Sequence, residues 1–178
     1  MTTNALAPLH NPNVQITEVG LLFRDNLTLT EWLAIGETLH WIKHKWLPFA
    51  FGDWLLYGEG RGDWGEMYAQ AIEVTGKEYG TLADYVWVAK AVPPETRNPD
   101  KSLSWTHHKH VAFLHKDPER QRDLLDYAVT YRLSSSEFYT DLSELRAEVR
   151  NGKEPQSSAQ IENRYCPTCH QPWPEIDT

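Results

Sequence analysis

Residues 64–94 read Trp-Gly-Glu-Met-Tyr-Ala-Gln-Ala-Ile-Glu-Val-Thr-Gly-Lys-Glu-Tyr-Gly-Thr-Leu-Ala-Asp-Tyr-Val-Trp-Val-Ala-Lys-Ala-Val-Pro-Pro. Apolar residues recur at helical spacing in two segments of this stretch, first Met67, Ala71 and Ile72, then Leu82, Tyr85, Val86 and Ala89. Between them, Gly76 suits a helix C-cap, Gly80 lets the chain turn back, and the Thr81 hydroxyl can cap the second helix. The prolines at 93 and 94 end that helix. The pattern predicts a helix-turn-helix, whose second helix commonly reads the DNA major groove, with an ordinary αα-hairpin as the alternative.

Bulk composition limits the class of protein. The chain has 178 residues, so we expect one domain, or one domain with a small appendage. No run of about 18 apolar residues is present, which predicts no membrane span, and the N-terminus lacks the basic start and apolar stretch of a signal peptide. We therefore expect a cytoplasmic protein. The chain also lacks a nucleophile elbow, a P-loop, a zinc-protease motif and a dinucleotide fingerprint, so we expect no enzyme activity.

The charge distribution restricts how the chain can bind nucleic acid. The net charge of −8 argues against a general nucleic-acid binder. Residues 101–150 balance eight acids with eight bases, whereas every other segment is acidic. Weak nonspecific attraction therefore predicts a specific, oligomeric DNA-binding protein, with a homodimer as the expected state.

Capping signals predict a mainly α-helical fold. Capping boxes at Thr28-Leu-Thr-Glu31 and Ser134-Ser-Ser-Glu137 each start a helix, and the second box begins a final helix that continues through Val149. Asp117-Pro-Glu119 opens another helix, and Val19-Gly-Leu-Leu-Phe23 is a short strand candidate. We predict a disordered arm over residues 1–14, a helical DNA-binding domain over 15–150, and a linker with a flexible Cys-x-x-Cys tail over 151–178.

Several motifs in one order resemble a known group of regulators. Residues 67–94 resemble the helix-turn-helix of ParB/KorB-type DNA-binding proteins, and segments 103–112 and 117–138 resemble the pieces that follow it there. The chain is more similar to the LmbU/NovE-like transcription regulators, which share Gly52-Asp-Trp-Leu-Leu-Tyr-Gly-Glu59, Thr81-Leu-Ala-Asp-Tyr-Val-Trp-Val-Ala89 and Ser104-Trp-Thr-His-His108. The resemblance covers roughly residues 19–150. It implies a sequence-specific transcription regulator that binds double-stranded DNA as a dimer.

The chain departs from these relatives in two places. Ala83 and Asp84 stand where the relatives tend to have basic or amide residues, although an aspartate can accept a hydrogen bond from cytosine N4. The chain has no room for a ParB-type nucleotide-binding domain. Gly58-Glu-Gly-Arg61 resembles the arginine box of that domain only faintly and suits a polar turn, so we expect no CTPase activity.

The resemblance and the helix pattern together select candidate DNA contacts. Lys77 and Tyr79 could position phosphates, Thr81 and Asp84 could meet base edges, and Lys90 could touch the backbone. Tyr85 belongs to the same set, although either Tyr85 or Trp87 could instead be part of the core. A solvent-exposed helix surface is the alternative for the whole set.

The histidine-rich segment 107–110 suggests two chemistries. His108 and Lys109 could contact phosphate near a helix N-terminus, with a capping or core role for the histidine as the alternative. A metal site is disfavoured because only His107 and His110 would share a helix face.

The tail segment Tyr165-Cys-Pro-Thr-Cys-His170 contains a metal-like spacing. Cys166 and Cys169 could bind Zn²⁺ together, but one pair supplies only two of the four ligands that a tetrahedral site needs. Zinc, a reduced tail without metal, and a redox pair all remain as interpretations of these cysteines.

The sequence thus favours a site-specific DNA-binding regulator. The alternative is a phage or mobile-element module that binds a host protein through an acidic, aromatic surface.

Overall fold

The computed structural model describes residues 11–24, 27–42, 44–62 and 65–151 and is mainly helical, with a two-stranded sheet near the N-terminus. The prediction of a mainly α-helical fold with a short N-terminal strand is therefore confirmed. The elements are β1 (Val14–Thr17), β2 (Gly20–Phe23), α1 (Leu29–Trp41), α2 (Leu47–Glu59), α3 (Met67–Thr75), α4 (Tyr79–Ala91), α5 (Trp105–Val111), α6 (Pro118–Thr130), α7 (Ser135–Asp141) and α8 (Ser143–Arg150). Cys166 and Cys169 lie outside the described residues, as do the first ten residues of the predicted arm.

The described chain divides into two compact units. One extends to Pro99 and the other begins at Asp100, a boundary that the sequence analysis did not place. The first unit contains the β-hairpin and α1 to α4, and the second contains α5 to α8. No helix of the described ranges combines the length and the apolar content that a membrane crossing requires.

The N-terminal sheet is an antiparallel hairpin rather than one strand. β1 and β2 pair from Val14 with Phe23 to Thr17 with Gly20. The predicted strand at 19–23 is thus present as β2, and its partner begins at Val14, which the sequence analysis had placed in the arm. The alternation of β1 is weak, because Gln15 and Ile16 are both exposed, and a strand of four residues gives little periodicity to detect.

Two tryptophans hold α1 against α2 through hydrogen bonds and ring stacking. The Nε1 atoms of Trp32 and Trp54 each donate a 2.8 Å hydrogen bond to the backbone carbonyl of the other residue, and the rings stack with centroids 4.2 Å apart. Both side chains are fully buried. Because each indole N–H has a partner, these large side chains enter the core without an unpaired donor.

Close packing also positions α4 along α2. A Cβ atom on Gly52 would lie 2.5 Å from the carbonyl oxygen of Tyr85 and 2.7 Å from the Cβ of Ala89. Only glycine at this position lets the two helices approach so closely. α2 therefore supports one side of α4 directly, while Gly80, Thr81, Trp87 and Lys90 of this helix stay exposed.

A buried ion pair joins three parts of the first unit. Arg97 contacts both carboxylate oxygens of Asp53 at 2.6 and 2.8 Å, and it also donates to the carbonyl oxygens of Val92 and Val19. The Asp53 carboxylate also accepts a 2.9 Å hydrogen bond from the backbone amide of Leu21. Burial raises the pKa of the Asp53 carboxyl, while the hydrogen bonds and charge of Arg97 act in the opposite direction. The pair ties the hairpin and the segment after α4 to α2.

The helices α6 and α7 of the second unit begin where the capping signals in the sequence predicted. Asp117 caps α6 through its side chain with Pro118 at the first helical position, and Ser134 forms a capping box with Glu137 at the start of α7. The predicted final helix is wrong in one respect, because it divides at Leu142 into α7 and α8. Leu142 is fully buried at this division, as is Phe138 one turn earlier.

Candidate nucleic-acid interface

Three residues connect α3 to α4. Gly76 caps α3 in the left-handed conformation, with φ of 64°, as the sequence predicted. The hydroxyl of Thr75 accepts a hydrogen bond from the amide of Lys77 and so closes the turn. The predicted cap at Thr81 is wrong. α4 begins two residues earlier, at Tyr79, with Glu78 as its N-cap and no side-chain capping bond.

The outward side of α4 carries several of the predicted contact residues. Thr81 and Lys90 are exposed, and Asp84 is partly exposed between them. Gly80, Ala83, Asp84 and Trp87 share this side because they are spaced by three and four residues. Leu82, Val86 and Ala89 point the opposite way into the core. Asp84 therefore lies on the outward side with Gly80 and Trp87, whereas Thr81 and Lys90, nine residues apart, lie at opposite edges of the exposed surface of α4.

Tyr85 belongs mainly to the supporting side of α4. Its ring stacks on Phe51 with centroids 5.9 Å apart, and the side chain is half-buried. Burial, with a smaller contribution from Asp84, raises the pKa of the Tyr85 phenol. Lys77 lies against the same aromatic group, with its Nζ 4.8 Å from the centroid of Phe51. Tyr85 and Lys77 thus both lie against Phe51 and do not share the outward side with Gly80, Asp84 and Trp87.

Lys90 is engaged in an ion pair at the far end of α4. Its Nζ lies 2.6 Å from a carboxylate oxygen of Glu59, and both side chains retain solvent exposure. The other oxygen of Glu59 accepts a hydrogen bond from Tyr68 at 3.2 Å. Burial, followed by the charge of Glu59, raises the pKa of Tyr68 to about 12. Tyr79 packs its exposed ring on Tyr68 with centroids 5.0 Å apart.

The histidines after α4 form structural hydrogen bonds in the second unit. His108 is buried, and its Nδ1 donates to the carbonyl oxygen of Ser104 at 2.9 Å. A buried imidazole held in this way does not present its ring to phosphate, so His108 has the core role that was the alternative. His107 is buried beside it and bonds Ser104 and the carbonyl of Leu133. Lys109 is half-buried, with its Nζ 5.2 Å from the ring centroid of Trp105.

The second unit also holds one histidine in its neutral form. Burial, with the charge of Arg146 as the next cause, lowers the pKa of His110 to about 4. Arg146 donates to the carbonyl oxygen of His110 at 2.7 Å and packs over the ring of Tyr139. Within the described part of the chain, no group of three or more His, Cys, Asp or Glu side chains is arranged to hold a metal ion.

Trp87 is an exposed residue that the sequence analysis did not assign to the site. Its side chain is 49% exposed on the outward side of α4, whereas Tyr85 is the residue that packs inward. The spacing places the two residues on different sides of the helix, because Trp87 lies three and seven residues from Asp84 and Gly80, but it does not show which side is exposed. The sequence alone left both aromatic residues open because neither position showed which side α2 would cover.

Comparison with known proteins supports the resemblance that the motifs indicated. The chain is 32% identical over 115 residues to the transcriptional regulator NovE of Streptomyces niveus. The matched span is 63% of this chain and 48% of NovE, so the chain spans about half the length of this curated relative. This similarity confirms the resemblance to LmbU/NovE-like regulators. No family model matches the chain, and no solved structure matches it significantly.

Proposed function

We propose that this protein is a sequence-specific DNA-binding transcription regulator that inserts α4 into the major groove. The observation that carries the proposal is the exposed surface of α4, which presents Asp84 between Thr81 and Lys90 at its two edges, after a short, glycine-capped turn. The similarity to NovE, a transcriptional regulator, supports the same class of function. We further propose that it acts as a homodimer, because a weakly attractive surface gains affinity from two linked half-sites.

The dimensions of α4 suit this role. A helix of 13 residues is about 20 Å long, and the major groove is about 12 Å wide, so one helix fits across base edges while its ends approach phosphates. Thr81 lies in the first turn, where helix-turn-helix proteins commonly contact bases. Asp84 can accept a hydrogen bond from cytosine N4, and Lys77, Tyr79 and Lys90 are proposed phosphate contacts. Lys109 is a further proposed phosphate contact on the second unit.

Selection from a randomised DNA library tests the proposal. Purified full-length protein would be incubated with 40-base-pair duplexes that carry a random central segment, and bound duplexes would be amplified over several rounds. We expect one sequence to be enriched and to bind at least about a thousandfold more tightly than the unselected library. Recovery of no preferred sequence, with a folded protein by circular dichroism, would contradict sequence-specific binding. The enriched duplex, termed here the selected duplex, is the probe for the experiments below.

Salt should weaken binding only moderately. Because each protomer offers few cations near α4, we expect the logarithm of affinity to fall with the logarithm of salt concentration with a shallow slope. The slope should correspond to roughly four to eight released counterions per dimer. Fluorescence anisotropy with the selected duplex between 50 and 300 mM KCl measures it. A slope near zero would favour a protein partner instead of DNA.

Glu59 should oppose DNA binding by holding Lys90. Replacing Glu59 by Gln removes the charge that lies 2.6 Å from the ammonium group, so Lys90 becomes available to phosphate. We expect Glu59→Gln to raise affinity for the selected duplex about two- to fivefold, on the scale of one exposed ion pair of about 0.5–1 kcal/mol.

A double-mutant cycle separates this effect from a general change in charge. In a Lys90→Gln background, Glu59→Gln should produce a smaller gain, because the group that it releases is gone. Glu66→Gln, which removes another exposed acid of the same unit, is the matched control. Equal gains from Glu59→Gln with and without Lys90 would show that the ion pair does not regulate the contact.

A further inference from the structure

We infer that Trp87 is a specificity-determining residue that recognises the 5-methyl group of a thymine in the major groove. This inference deepens the proposed function and rests on it. Trp87 is the ninth residue of α4 and keeps 49% of its surface exposed. Among the described residues, no hydrogen bond, aromatic ring or cation engages its indole.

The place of Trp87 on α4 puts it beside one of the proposed base contacts. Asp84 lies about one turn before it on the same side, whereas Thr81 lies six residues before it and about 120° around the helix. At 1.5 Å per residue, Trp87 is about 9 Å beyond Thr81 along the helix axis, which corresponds to two to three base-pair steps. Gly80 and Ala83 have small side chains on this side, so the backbone of α4 can approach the groove while Trp87 reaches forward.

The chemistry of this side of α4 favours base edges over a second copy of the chain. In a two-fold interface centred on Asp84, this carboxylate would lie next to the Asp84 of the partner, because both copies use the same surface. Like charges in such a contact repel. In the major groove, cytosine N4 offers Asp84 a hydrogen-bond donor, and the methyl group of thymine offers Trp87 an apolar surface. Both groups of α4 thus find complementary partners at neighbouring base pairs.

The test removes single methyl groups from the DNA. Each thymine of the selected duplex would be replaced in turn by deoxyuridine, which lacks only the 5-methyl group. We expect the wild-type protein to lose roughly three- to tenfold in affinity at one position, on the scale of one buried methyl group. Trp87→Ala should bind the unmodified selected duplex roughly 10- to 100-fold more weakly and should be insensitive to deoxyuridine at that position. Trp87→Phe should keep the sensitivity, because it keeps an apolar ring.

A matched control removes Trp41, another strongly exposed tryptophan among the described residues of the first unit. Trp41 is 73% exposed near the end of α1, so Trp41→Ala should leave affinity and deoxyuridine sensitivity within about twofold of the wild type. The inference is overturned if Trp87→Ala retains the wild-type loss at the same thymine, or if the wild type is insensitive at every thymine. Those outcomes leave the proposed function intact, whereas failure to enrich any duplex overturns the proposed function itself.

Discussion

Replacing Arg97 by Met should destabilise the first unit by about 3–5 kcal/mol. The substitution removes the guanidinium group that contacts both carboxylate oxygens of Asp53. It leaves that carboxylate buried with a hydrogen bond from the Leu21 amide. Breaking one side of a buried ion pair costs more than the pair contributes, because the remaining charge has lost both water and its partner. Urea unfolding followed by tryptophan fluorescence measures the loss, since Trp32 and Trp54 lie in the same unit.

Protonation of Asp53 should restore part of the stability that the Arg97→Met substitution removes. Without Arg97, burial raises the pKa of Asp53 further, and folding then favours the neutral carboxyl group. A carboxyl group whose pKa is raised by folding stabilises the folded state at low pH, so the difference between Arg97→Met and wild type should narrow as the pH falls. The double variant Asp53→Asn, Arg97→Met should be more stable at pH 7 than Arg97→Met alone.

Arg24→Met, which removes an exposed arginine of the same unit, is the control and should change the free energy of unfolding by less than about 0.5 kcal/mol. A similar small effect for Arg97→Met would contradict the account of the pair.

The second large effect is expected at the two edges of the exposed surface of α4, which Thr81 and Lys90 occupy. Thr81→Glu places a carboxylate against base edges and phosphates, and Lys90→Glu reverses the charge of a proposed backbone contact. Each substitution should weaken specific binding by about 1–3 kcal/mol, the scale of one lost base or phosphate contact. The two residues are nine positions apart, about 13 Å along α4, so their losses should add approximately. Thr81 and Lys90 are exposed, so both variants should keep the fold.

Local signals in the sequence predicted much of the helical structure. The capping boxes at Thr28 and Ser134, the Asp117 cap and the left-handed Gly76 are determined by neighbouring residues, and the structure confirms them. The first residue of α4 was harder to predict from the sequence. Thr81 has the chemistry of a cap, but the Thr75 hydroxyl already closes the turn, so the chain re-enters a helix at Tyr79.

Long-range features could not be predicted from one sequence. Asp53 and Arg97 are 44 residues apart, and Trp32 and Trp54 are 22 residues apart, so no local periodicity connects either pair. The burial of His108 also depends on its neighbours in the fold, because the same residue on an exposed helix start would suit a phosphate. The assignment of Trp87 and Tyr85 to opposite sides of α4 required knowledge of where α2 lies, which the approach of Gly52 to Tyr85 determines.

The affinity of Thr81→Glu for the selected duplex tests the central claim most directly. Thr30→Glu, which adds the same charge at an exposed position in the first turn of α1, is the matched control, and circular dichroism monitors the fold of both variants. If α4 reads DNA, Thr81→Glu should bind the selected duplex roughly 10- to 100-fold more weakly than wild type, whereas Thr30→Glu should stay within about threefold. Equal affinity of Thr81→Glu and Thr30→Glu, with both proteins folded, would show that α4 is not the helix that reads the DNA.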